Sequence, residues 1–229
     1  VNLELSVERA VVEAAGQVDV ADPGGKPDDR GGERAARHRA VAELRSALMV
    51  EAAVRAAAAD AVEGRAEAAV WLGASLADLA AVTGRTRQAA RKRWPGLGDV
   101  SRRRRFLGYH VDDVLWAARL VLEAADDLEG VDETARAALA DAVAEAERAF
   151  RGEPADAATD AATDAGTDVA AAVARWQAFD RLVDRHLRDL LAGVPDEPAD
   201  PTAGFAAHGA RGVLRYYDHA VHEGVETGD

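Results

Sequence analysis

Alanine occupies 55 of the 229 positions, and nothing else in the sequence limits the fold so tightly. Alanine loses no side-chain entropy in a helix and is the strongest helix former, so a chain this rich in it builds helices. Aromatic residues make up only 5% of the chain, so the core has to come from Val, Leu and Ala on closely approaching helices. No stretch alternates apolar and polar residues at the period of two that a half-buried strand needs. The expected fold class is all-α.

Absences narrow the chemistry further. With no cysteine there are no disulfides, thiol nucleophiles, iron–sulfur clusters or Cys-ligated zinc. No segment approaches the ~18 apolar residues of a membrane span. The start, Val1-Asn2-Leu3-Glu4, has neither a basic region nor an apolar run, so no signal peptide and a cytoplasmic location are expected. Only Lys26 and Lys92 are lysine, the other basic residues being Arg, a composition of the kind a GC-rich, actinobacterial-type genome encodes.

Helical periodicity and breakers divide the chain. Leu3, Val7, Val11, Val12 and Ala15 lie near one helical face, and residues 16–32, rich in Gly, Pro and Asp, form a flexible linker. From Glu33 to about Val62 the spacing of Val41, Leu44, Leu48, Ala52 and Arg55 predicts a long helix. Gly64 is expected to interrupt it before a short helix over 65–73. A helix over about 104–128 has an apolar face from Val111 through Val114, Leu115, Ala118, Val121, Leu122 and Ala125 to Leu128. Asp132 caps another, to about Phe150. Residues 152–168, with three tandem Asp-Ala-Ala/Gly-Thr tetrads from Asp156 to Thr167, form a disordered linker. Further helices are expected over 169–192 and 204–223.

The formal net charge of −13 argues at first against nucleic acid. Its distribution reverses that argument. Residues 85–105 hold nine basic side chains against Asp99 alone, +8 in 21 residues, and the rest of the chain carries −21. Over a Debye length of ~8 Å, distant acidic groups scarcely reach such a patch.

The same stretch opens with a sequence that has its own geometry. Ser75 to Trp94 reads Ser-Leu-Ala-Asp-Leu-Ala-Ala-Val-Thr-Gly-Arg-Thr-Arg-Gln-Ala-Ala-Arg-Lys-Arg-Trp. Ser75 with Asp78 three residues on has the form of a helix N-cap. Leu76, Leu79, Ala80 and Val82 give an apolar face, Gly84 permits a left-handed turn, and Thr86 can cap a second helix from Arg87 to Trp94. Two short helices joined in this way resemble the helix-turn-helix family of bacterial DNA-binding proteins. The residues that carry the resemblance are Leu76–Ala80, Gly84, Arg87–Ala90 and Arg93–Trp94, with Ala80 and Ala90 small where the helices cross. Thr83 and Arg85 stand where that family usually has aliphatic residues.

The resemblance implies a second helix in the major groove of double-stranded DNA, with Thr86, Arg87, Gln88 and Arg91 toward base edges. Lys92, Arg93, Arg102, Arg103, Arg104 and Arg105 would meet phosphate. The bland alternative is one helix hairpin of a bundle with exposed Arg.

Other candidates have weaker chemistry. His219 and His222 share a helix face near Asp218 and Glu223, too few ligands for a metal centre. The Asp tetrads lack the glycine turn and terminal Glu of a calcium loop. His110-Val111-Asp112-Asp113 sits at a helix start, where carboxylates complement the dipole. There is no phosphate-loop or nucleophile motif, so no enzyme, cofactor or metal is expected.

The expected architecture is a short helix and linker (1–33), a helix-turn-helix domain (34–105) and an acidic helical module (106–229). The module's seam of small residues is thin for a monomer, so homodimerisation through the C-terminal helices is expected, pairing two motifs about one DNA turn apart. The expected role is a nucleoid-associated transcriptional regulator. The alternative is a helical adaptor whose acidic module binds a protein partner.

Overall fold

The computed structural model describes residues 6, 9, 10, 13, 33–151 and 167–222. The linker expected over 16–32 lies outside them, as do Glu223 and residues 152–166 of the linker expected over 152–168, which include the tetrads as far as Gly166; Thr167 and Asp168 instead open a helix. Among the described residues there are helices and no strand, so the chain is all-α. None of these helices is long and apolar enough to cross a membrane.

The chain divides into two compact units, Val1–Gly64 and Arg65–Asp229. In the first, residues 6, 9, 10 and 13 are helical, and helix α1 (Glu33–Trp71) begins. Ser46 is fully buried there and satisfies its hydroxyl on the carbonyl of Ala42 (3.0 Å). Val41, Leu44 and Leu48 are exposed. Gly64 does not interrupt α1. A helical glycine costs only about 1 kcal/mol relative to alanine, and alanines on both sides carry the helix through it.

The second unit holds the remaining elements. These are α2 (Leu76–Val82), α3 (Arg87–Arg93), α4 (Leu97–Tyr109), α5 (Val111–Glu123), α6 (Glu133–Arg151), α7 (Thr167–Arg181), α8 (Arg188–Leu191) and α9 (Pro201–His222). Their ends follow local chemistry. Asp132 accepts from the backbone N–H of Ala135 (2.9 Å) at the start of α6, as its position predicts. Asp200 accepts from Thr202 and Ala203 (both 2.8 Å) at the start of α9, whose first residue is proline.

Two elements depart from expectation. The helix expected over 104–128 is two helices, because the chain leaves helical geometry at His110 (φ −122°, ψ 24°). The basic stretch therefore closes α4, and the boundary expected at 105/106 falls within that helix. The helix expected over 169–192 widens to a π-helical turn over Leu182–Leu187 before α8. The wider turn brings Leu182, Val183 and Leu187 together into the core, where all three are fully buried.

Two apolar clusters organise this unit. A small one joins the end of α1 to the hairpin: Ala66, Val70, Leu76, Leu79, Ala80, Ala90, Trp94 and Leu97. A large one gathers α4 to α9 around Leu107, Leu115, Leu139, Phe179, Leu190 and Tyr217. The faces expected on α5 and α6 point into it: Val114, Leu115, Ala118 and Val121 from one, Leu139, Val143 and Ala146 from the other. The small residues let helices approach closely enough to close the core within one chain.

One polar network crosses that core. Asp180, only 7% exposed, accepts from the Tyr217 hydroxyl (2.6 Å) and from Arg103 Nη1 (3.3 Å). Burial raises the Asp180 carboxyl above its ordinary value, against the opposing pull of Tyr217 and Arg103. Burial and the bond to Asp180 push the Tyr217 phenol well above its ordinary 10.0. The folded state therefore holds the phenol proton after the unfolded chain has lost it, and stability falls as pH rises past 10. Tyr217→Phe is expected to cost about 1–3 kcal/mol at neutral pH by removing one of the partners of Asp180. It also flattens the alkaline decline, and thermal unfolding of both proteins across pH 7–11 checks both effects.

Candidate nucleic-acid interface

The hairpin is built from short-range interactions. The Ser75 hydroxyl accepts from the Asp78 backbone N–H (3.2 Å), and the Asp78 carboxylate accepts from the Ser75 backbone N–H (2.8 Å). This reciprocal box starts α2 and holds the Asp78 carboxyl below its ordinary value. Thr83 closes the helix by donating its hydroxyl to the carbonyls of Leu79 and Ala80 (both 3.1 Å), a role that suits a polar residue at this position. Gly84 then takes φ +61°, the left-handed conformation that turns the chain. Thr86 accepts from Ala89 N–H (3.2 Å) and starts α3. Ala80 and Ala90 are both buried at the crossing, and Trp94 seals the end. Val82 is a correction: it is 88% exposed, because it follows the last turn of α2 that faces the core.

With Ala90 and Trp94 buried, the other side of α3 is left to solvent. Thr86, Arg87, Gln88, Arg91, Lys92 and Arg93 are all exposed. Gln88 and Lys92, one turn apart, point most directly away from the core. Arg87 and Arg91, also one turn apart, lie on the flank toward α4, and the guanidinium of Arg93 lies over the Trp94 ring at 4.9 Å. No acidic residue interrupts α3.

The four arginines of α4 divide differently from the expectation. Arg102 donates Nε to the Val221 carbonyl of α9 (2.7 Å) and pairs with Asp99. Arg103 reaches Asp180 across the core. Arg104 donates Nε to the Trp71 carbonyl at the end of α1 (2.9 Å) and lies flat over the Trp176 ring of α7 at 3.4 Å. Burial lowers the pKa of Arg104, with Arg175 adding to the effect. These three guanidinia hold helices together, and only Arg105 is exposed among the four. The outward basic surface of the stretch is thus Arg85, Arg87, Arg91, Lys92, Arg93 and Arg105.

Arg87, Arg91 and Arg105 converge on an open cleft of about 730 Å³ between the hairpin, α4 and α9. Tyr109, 80% exposed, and Tyr216, 53% exposed, stand on its wall. The pattern of the helix expected over 204–223 places Tyr216 with Leu214, Tyr217 and Val221 as a core position, yet it is half exposed; Tyr109 carries no pattern signal. The signal available was their company, since Tyr109 closes the Arg run, but whether an aromatic faces core or cleft is decided by packing across 100 residues. His110 is occupied locally, with Nδ1 2.9 Å from an Asp113 oxygen. Among the described residues no three His, Asp or Glu side chains gather as a metal centre would require.

No family model, curated protein or solved structure matches this chain.

The division of the α4 arginines makes a testable contrast. Arg104→Ala is expected to destabilise the fold by about 1–3 kcal/mol through the lost hydrogen bond and ring contact. Arg105→Ala should leave the unfolding midpoint within ~0.5 kcal/mol of the parent. Urea unfolding of the two variants measures the difference.

Proposed function

We propose that this chain binds double-stranded DNA through α3 and acts as a regulator of transcription. The observation that carries the reading is the coincidence of two features on one short helix. Its position after a capped, tightly turned hairpin suits insertion into a major groove, and its solvent side bears four basic residues and Gln88 with no acid. Gln can pair with adenine and Arg with guanine, so Gln88 and Arg91, with Thr86 and Arg87 at the entry, are assigned to base edges. Lys92, Arg93 and Arg105 are assigned to phosphate. Arg102, Arg103 and Arg104 are not carried into the interface, because their partners are inside the protein. Homodimerisation through the C-terminal helices, pairing two motifs about one DNA turn apart, remains part of the proposal.

Selection of duplexes from random sequence, followed by fluorescence anisotropy on the selected site, tests the proposal. Gln88→Ala and Arg91→Ala are each expected to lose about 1–3 kcal/mol of preference for the selected site over random duplex. Lys92→Ala and Arg93→Ala weaken binding to all sequences alike and reduce the salt slope by about 1 each. Parent-like binding by all four variants overturns the reading. Absence of duplex binding, with capture of a protein partner that depends on the acidic helices, replaces it with the adaptor.

A further inference from the structure

The cleft beside α3 joins an aromatic wall to three arginines that the DNA-binding reading also uses. Its volume of about 730 Å³ lies within the range of small-molecule sites. Among the described residues that line it none is acidic. Three of its guanidinia, Arg87, Arg91 and Arg105, have no hydrogen-bond or ion-pair partner among the described residues. The fourth, Arg102, is already held by Asp99 and the Val221 carbonyl, which fixes it as part of the wall.

Three unpaired guanidinia facing one space match a phosphate better than a carboxylate. A phosphate monoester carries a charge of about −1.5 to −2 at neutral pH and offers three acceptor oxygens that Arg forks engage in pairs. The aromatic wall adds a second requirement. Tyr216 is fixed edge-on by Phe106 (5.5 Å between ring centres) and His110 (5.1 Å), whereas Tyr109 makes no ring contact among the described residues. An exposed, open tyrosine face next to arginines suits stacking on a planar ring. A cleft of this volume walled by four elements suits a small molecule.

We propose that the cleft binds a small ligand of the nucleoside-phosphate class, its phosphate on Arg87, Arg91 and Arg105 and its ring against Tyr109. Arg87 and Arg91 belong to both the cleft and α3. Where the DNA-binding reading holds, on which this second part rests, an occupied cleft withdraws both side chains from DNA and lowers affinity for it.

The test is calorimetric titration of the full chain with adenosine monophosphate, with adenosine and with inorganic phosphate. Adenosine monophosphate is expected to bind at one site per chain, and each of the other two at least about tenfold more weakly. Tyr109→Ala and Arg105→Gln, both at exposed positions and checked for folding by circular dichroism, should each weaken the nucleotide about tenfold. The nucleotide should also displace duplex at constant ionic strength. Absence of saturable nucleotide binding overturns the site, as does equal binding of inorganic phosphate or parent-like binding by both variants. Nucleotide binding by a chain that binds no duplex upholds the site and removes the competition. If Tyr109→Ala weakens duplex binding in a chain that ignores the nucleotide, the cleft belongs to the DNA strand and the proposal fails.

Discussion

Helix α4 has to satisfy two cores at once, and its arginines are how it does so. Leu97 at its start belongs to the small cluster under the hairpin, and Phe106 and Leu107 near its end belong to the large cluster. Between them Arg102, Arg103 and Arg104 reach α9, the α7–α9 network and the α1 terminus. Each guanidinium meets a group that the apolar clusters would otherwise leave unsatisfied or exposed: a terminal carbonyl of α9, a buried carboxylate, the last carbonyl of α1. These bonds fix α4 to the end of α1 and to the larger bundle. The hairpin itself meets α4 through the small apolar cluster of Ala90, Trp94 and Leu97, which sets the orientation of α3 beside the cleft.

The same division of labour bears on electrostatics. A run of +8 in 21 residues overstates the cationic surface, since part of that charge is spent internally on Asp99, Asp180 and backbone carbonyls. What remains outward is concentrated on α3 and Arg105. The −21 elsewhere is the natural counterpart. Acidic groups elsewhere in the chain repel phosphate, which favours approach of a polyanion to this basic surface. The proposed function and the proposed ligand site both draw on this asymmetry, and they share Arg87, Arg91 and Arg105.

Much of this was legible in the sequence where the determinants are local. The Ser75–Asp78 box, the Gly84 turn, the Thr86 cap and the Asp132 cap each depend on residues within four positions of one another, and all form as expected. The apolar faces of α5 and α6 follow from periodicity alone. Features that depend on distant partners were not legible. An Arg bound for Asp180, 77 residues away, has the same local sequence signature as one bound for phosphate. The break at His110 and the π-helical turn at Leu182–Leu187 sit in strong helical patterns, and tertiary packing overrides the pattern at both. Gly64 misled in the opposite sense, because a single glycine weakens a long Ala-rich helix without ending it.

The central claim is that α3, and not the length of the basic stretch, meets nucleic acid. Hydrogen–deuterium exchange of the full chain with and without duplex DNA measures this directly. With α3 against DNA, exchange slows in the backbone of residues 85–94, changes little in the already protected interior of α4, and is unchanged in α6. Protection centred on α6 or α9, with α3 exchanging as in the free protein, would contradict it.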